Sequence, residues 1–165
     1  MNSMSSDRTP LAIFILLASC TQRNAIPAAH KSDPQIEAEI LATFDSLTTA
    51  IRELKVERML TFYSTDSSIV RVLDGRLISG RRAVERDFRE GFAVVRSIDR
   101  LELLARHAAV LSPQAAVLTA ELAEAFTDTS GRGAAVRAAW TSAWQLQAGH
   151  WRIVQDAAVH VPLKP

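Results

Sequence analysis

Between residues 36 and 54 the apolar side chains Ile36, Ile40, Phe44, Leu47, Ile51 and Leu54 recur at spacings of three and four. That period gathers them on one face of a helix, and Ser32 or Asp33 can cap it with Pro34 in its first turn. A shorter run over 56–63 sets Val56, Met59, Leu60 and Tyr63 on one side before Ser64-Thr65-Asp66-Ser67 breaks it. Residues 69–73 are β-branched and read as a strand. Asp74-Gly75 suits the two positive-φ positions of a tight hairpin, and Arg76-Leu77-Ile78 returns. Ser79-Gly80 opens a third helix with the stripe Val84, Phe88, Phe92 and Val95, which Gly91 interrupts at modest cost.

The stretch 101–126 is rich in Leu, Ala and Glu, so propensity alone argues for helix. Turn chemistry at 112–114, 127–133 and 148–150 instead cuts the remaining chain into four pieces of strand length. In the third piece Val136, Ala138, Trp140, Ser142, Trp144 and Leu146 share a face at period two. In the fourth, Trp151, Ile153, Gln155, Ala157 and Val159 are expected to do the same. Leu, Val and Ala occupy both faces of these two pieces, more than a sheet with one solvated side requires. The expected class is α+β, with three helices followed by long antiparallel strands.

Residues 11–19 form an uncharged apolar run that ends in Leu17-Ala18-Ser19-Cys20 and follows a polar start containing Arg8. The run is less than half the roughly 20 residues needed to span a bilayer, so a signal peptide fits and a transmembrane helix does not. The alternatives are an ordinary secretory peptide cut near Ala18, or a buried N-terminal helix. The stretch resembles a bacterial lipoprotein signal with its lipobox, which implies cleavage before Cys20 and lipid on its thiol. Cys20 is the only cysteine, which excludes an intrachain disulfide. Thr21 in place of an inner-membrane retention aspartate implies export to the cell envelope, on the periplasmic face of the outer membrane in a Gram-negative host. The expected division is 1–19 signal peptide, 20–33 lipidated cysteine and tether, 34–162 one domain, and 163–165 tail.

Composition is that of an ordinary globular protein, 48% apolar and 22% charged, and 19 Lys plus Arg balance 18 Asp plus Glu. No basic excess points to nucleic acid. Arg81, Arg82, Arg86 and Arg89 alternate with Glu85, Asp87 and Glu90, which reads as a solvated helix face. His107, His150 and His160 show no metal-ligand spacing, so no metal site is expected. No phosphate loop, nucleophile elbow or Cys-His pair occurs, and no cofactor is expected.

Phe62-Tyr63-Ser64-Thr65-Asp66 before the first strand and Gly149-His150-Trp151-Arg152-Ile153-Val154-Gln155-Asp156 in the last carry a family resemblance. With Asp74-Gly75 and Ser79-Gly80-Arg81, they resemble the SnoaL-like branch of the nuclear transport factor 2-like (cystatin-like) superfamily over residues 34–162. The resemblance implies a curved antiparallel sheet wrapped around three N-terminal helices and enclosing a conical pocket. It also implies homodimerisation through the outer sheet face. Gln155 replaces a histidine frequent in relatives, which removes one acid/base candidate.

Within that fold the resemblance places Asp66 near the pocket mouth, as a general base beside Tyr63 as oxyanion donor, against the alternative that Asp66 caps a turn. Trp140, Ser142 and Trp144 offer a pocket wall for a flat apolar ligand, against the alternative of plain packing. Glu121 and Glu124 face opposite sides of their strand, and Glu121 is carried as the pocket residue. Few ionisable groups stand beside the tryptophans, so the leading expectation is a lipid-anchored envelope protein whose pocket binds a small, mainly apolar molecule. The alternatives are an isomerase, cyclase or dehydratase with an aspartate base, and a non-catalytic dimerisation module.

Overall fold

A computed structural model describes residues 34–163. The signal peptide, Cys20 and the tether lie outside the described residues, as do Ser32 and Asp33. The chain runs α1 (Pro34–Arg52), α2 (Val56–Leu60), β1 (Val70–Leu73), β2 (Arg76–Ser79), α3 (Arg81–Ala93), β3 (Val95–Ser112), β4 (Ala115–Asp128), β5 (Gly133–Gln147) and β6 (His150–Pro162). One six-stranded sheet has the order β2-β1-β6-β5-β4-β3. All its neighbours are antiparallel except β1 and β6, which pair in parallel from Val70 beside Gln155 to Leu73 beside Ala158.

The apolar stripe of α1 buries Ile40, Phe44, Leu47 and Ala50 against the sheet, where the Phe44 and Trp140 rings lie 5.4 Å apart. Each such side chain contributes about 1.5–3 kcal/mol by leaving water. Leu54 is not part of that stripe, because the helix has ended and Leu54 sits at φ 53 in its terminal turn. The second helix is shorter than its apolar period suggests. Beyond Leu60 the amides of Thr61, Phe62 and Tyr63 bond three residues back, a tighter turn that delivers Tyr63 to the sheet. Val95 likewise belongs to β3 and not to α3.

The Asp74-Gly75 hairpin forms as its chemistry dictates, with φ of 49 and 80. Along β3, register shifts against β4 fall between Val95 and Ser97, Ile98 and Arg100, Leu103 and Ala105, and Val110 and Ser112. Such bulges bend a strand and raise its twist. They also explain exposed leucines, since Leu104 and Leu111 are the extra residues at two of them.

On β4 the residues Ala116, Leu118, Ala120 and Leu122 face the core, and on β5 Ala138, Trp140, Ser142 and Trp144 do so. On β6 strict alternation fails. Trp144 pairs with Ile153 but Ala143 pairs with Gln155, so Val154 is an inserted residue. The inner face therefore passes from Trp151 and Ile153 to Asp156, Ala158 and His160, while Gln155, Ala157 and Val159, expected on one face with Ile153, fall on the other.

Candidate functional site

The bulge at Val154 decides where the chemistry lies. It turns Asp156 inward, 2% exposed, where an uninterrupted strand would aim it at solvent. Tyr63 reaches it from the segment after α2, which is stitched to β6 by Ser64 N–H donating to Ile153 O (2.8 Å) and Ile153 N–H donating to Phe62 O (2.8 Å). Arg81 braces the same segment. Its guanidinium donates to the carbonyls of Leu60, Tyr63 and Ser64 at 3.2, 3.1 and 2.9 Å, besides pairing with Glu85. One member of the basic cluster expected on a solvated face is thus spent on positioning Tyr63.

Tyr63 Oη donates to Asp156 Oδ2 at 3.1 Å, and its ring meets Phe88 edge-on at 4.9 Å. Arg71 of β1 lays its guanidinium over the other side of the cluster, 3.7 Å from the Phe88 centroid. Its Nε is 3.6 Å from Asp87 Oδ2 and its Nη1 3.9 Å from Asp156 Oδ2, close enough for attraction and too far for hydrogen bonds. Arg71 Nε and Nη1, Asp156 Oδ1 and Trp140 Nε1 are accordingly buried without partners. Groups of this kind cost free energy unless something completes them.

A cavity of about 150 Å³ opens beside this cluster. Tyr63, Arg71, Phe88, Phe92 and Trp140 line it together with Ile51, Met59, Leu122, Glu124, Ala158 and His160. Burial raises the pKa of Asp156, which Arg71 and Tyr63 partly offset; the Trp140 indole also lowers it, although it stops short of a hydrogen bond. Burial likewise raises Glu124, with His160 opposing. Tyr63 is driven well above an ordinary phenol by burial and then by the Asp156 charge. At the rim, His160 donates its backbone N–H to Asp74 Oδ1 at 2.8 Å and holds its ring Nδ1 3.1 Å from the same carboxyl. Burial alone would raise Asp74, but these contacts and Arg76 outweigh it and hold the carboxyl low.

Several expectations need correction. Asp66 is exposed and accepts the Ser68 backbone N–H at 2.8 Å, which lowers its pKa; it is a turn residue outside the cavity, unsuited to a base there. Trp144 and Ser142 share the face of Trp140 but sit in the core, where Trp144 Nε1 donates to Ser142 Oγ at 2.8 Å. Glu121 points outward and pairs with Arg137 at 2.5 Å. Tyr63 and Trp140 alone of the expected pocket residues line the cavity. Arg71 and His160 were not legible as wall residues. Glu124, not the Glu121 carried as the pocket residue, lies on the inner face of β4 with Ala116, Leu118, Ala120 and Leu122. Among the described residues no group of three His, Cys, Asp or Glu side chains is placed to hold a metal, and no helix is long and apolar enough to cross a membrane.

The sequence matches the SnoaL-like domain over residues 40–160. No curated protein matches it. Among solved structures it is similar to a protein from Streptomyces avermitilis assigned as a dehydratase of the nuclear transport factor 2-like family. Identity is 17%, TM-score 0.68, and the match covers 78% of this chain and 99% of that one. A ketosteroid isomerase-like protein from Erwinia carotovora atroseptica is 16% identical with TM-score 0.67, over 81% of this chain and 100% of that one. A protein from Xanthomonas campestris assigned as a calcium/calmodulin-dependent protein kinase II association domain is 19% identical with TM-score 0.64, over 76% and 88%. At these identities the likeness establishes the α+β nuclear transport factor 2-like fold and nothing about activity.

Proposed function

The chain belongs to the SnoaL-like domain family, and on that premise we propose that it binds a small molecule in the cavity beside Tyr63 and Trp140 while lipid on Cys20 holds it in the cell envelope. The observation that carries the binding reading is the set of four partnerless buried polar atoms on Arg71, Trp140 and Asp156 beside that cavity. The ligand is therefore not simply apolar. Its body suits Phe88, Phe92 and Leu122, and a polar group of it meets the polar side chains of the same wall.

Native mass spectrometry of the protein from its own host is the test, with a co-purified small molecule as the expected result. Trp140→Phe should weaken its retention about fivefold, the worth of the indole surface that phenylalanine cannot supply. If nothing co-purifies and the variant leaves binding to a metabolite library unchanged, the reading fails. The anchor has its own test. Labelling with a palmitate analogue should mark the wild type and not Cys20→Ser.

A second reading, proton transfer on a bound carbonyl compound, draws on the two carboxyls of Asp156 and Glu124, both raised by burial toward the range useful to a general acid or base. The structural neighbours named above include a dehydratase assignment, an isomerase-like protein and an association domain, so the fold alone does not choose between them. Glu124→Gln abolishing turnover while sparing binding would favour this reading over binding alone.

A further inference from the structure

Glu124 ends the inner face of β4 as a half-buried carboxyl on the cavity wall, without a hydrogen bond or ion pair. His160 attracts it across the cavity from beyond ion-pair distance, and His160 is already held by Asp74. The same wall carries the rings of Phe92 and Trp140 and the side chain of Leu122. A carboxylate so placed lacks a donor, and an aromatic-lined cavity suits an apolar body that carries one.

The charges elsewhere around the cavity are already met. Arg71 lies between Asp87 and Asp156 and is stacked on Phe88, so its cation is more than balanced by two carboxyls. Glu124 is left as the unmatched group. We propose that the occupant of the cavity is a small protonated amine, its ammonium against Glu124 and its apolar body among the aromatic rings. Volume sets its size, because a cavity of about 150 Å³ takes a molecule like benzene. This identification rests on the binding reading above and adds the chemical class of the ligand.

Three probes of nearly equal shape test it: benzylamine, benzyl alcohol and benzoate, titrated calorimetrically into the full chain at pH 7.5, where benzylamine is protonated. Benzylamine should bind at least tenfold tighter than benzyl alcohol, and Glu124→Gln should erase that preference. Benzylamine should also weaken as pH falls and Glu124 protonates, with release of a proton that shows as buffer-dependent heat. Equal binding of amine and alcohol, or tightest binding of benzoate, overturns the inference and leaves the binding reading standing. If none of the three binds while native mass spectrometry finds an occupant that is not an amine, the inference again falls alone. If no probe binds and nothing co-purifies, both fall.

Discussion

Tyr63 and Asp156 show what one buried hydrogen bond does for a carboxyl taken out of water. Burial raises Asp156, and the Tyr63 hydroxyl at 3.1 Å is one of the groups that resist it. Tyr63→Phe should therefore destabilise the protein by about 1.5–3 kcal/mol at pH 8, where the bond is made to a charge. In acid the same bond goes to a neutral carboxyl and the loss should shrink. Urea unfolding of both proteins at pH 8 and pH 4 reads the difference. The sign for the wild type follows from linkage. Asp156 and Glu124 have folded pKa values above their unfolded ones, so each contributes stability that is full below the unfolded value and lost as pH rises through the folded one. Glu124→Gln should then unfold at equal or higher urea than wild type at pH 8, and converge with it in acid.

At the scale of elements, hairpins carry the sheet, and one of them is built under strain. The β5–β6 turn uses Ala148 at φ 48 and Gly149 at φ 80. Alanine pays for the left-handed conformation that asparagine tolerates, and Ala148 is exposed. Ala148→Asn should stabilise the protein by about 0.5–1 kcal/mol, read as a higher unfolding midpoint at unchanged slope. Periodicity made the helices, the hairpins and the four long strands legible, because each buries one face and turn residues separate them. It also placed Tyr63 and Trp140 on inward faces. What it could not reveal was the phase of β6 beyond Ile153, because no glycine or proline marks the bulge at Val154. Asp156 was hidden for that reason. The solvent-facing turn at Asp66 was misread because the resemblance set it at the pocket mouth, whereas its bond to Ser68 keeps the carboxyl in the turn.

For the molecule as a whole, the outer sheet face offers small residues around one polar centre, with Thr119 and Thr141 hydroxyls 3.2 Å apart and Glu121 paired to Arg137. Val159 and Val161 extend it, 49% and 57% exposed. We expect a homodimer through this face: light scattering should give twice the chain mass, and Ala139→Arg should give a folded monomer. A wild-type monomer at tens of micromolar would count against it. The parallel pairing of β1 with β6 has a different consequence. Hairpin strands can find each other over short loops, but β1 must wait for β6, and Tyr63 must wait for a carboxyl 93 residues further on. Closing so long a loop costs entropy before any contact repays it. The β3–β4–β5 meander can therefore zip locally while the cavity stays open, to be closed only when the last strand arrives. A chain cut short before β6 would lose the strand on which β1 pairs and, with it, the wall that closes the cavity.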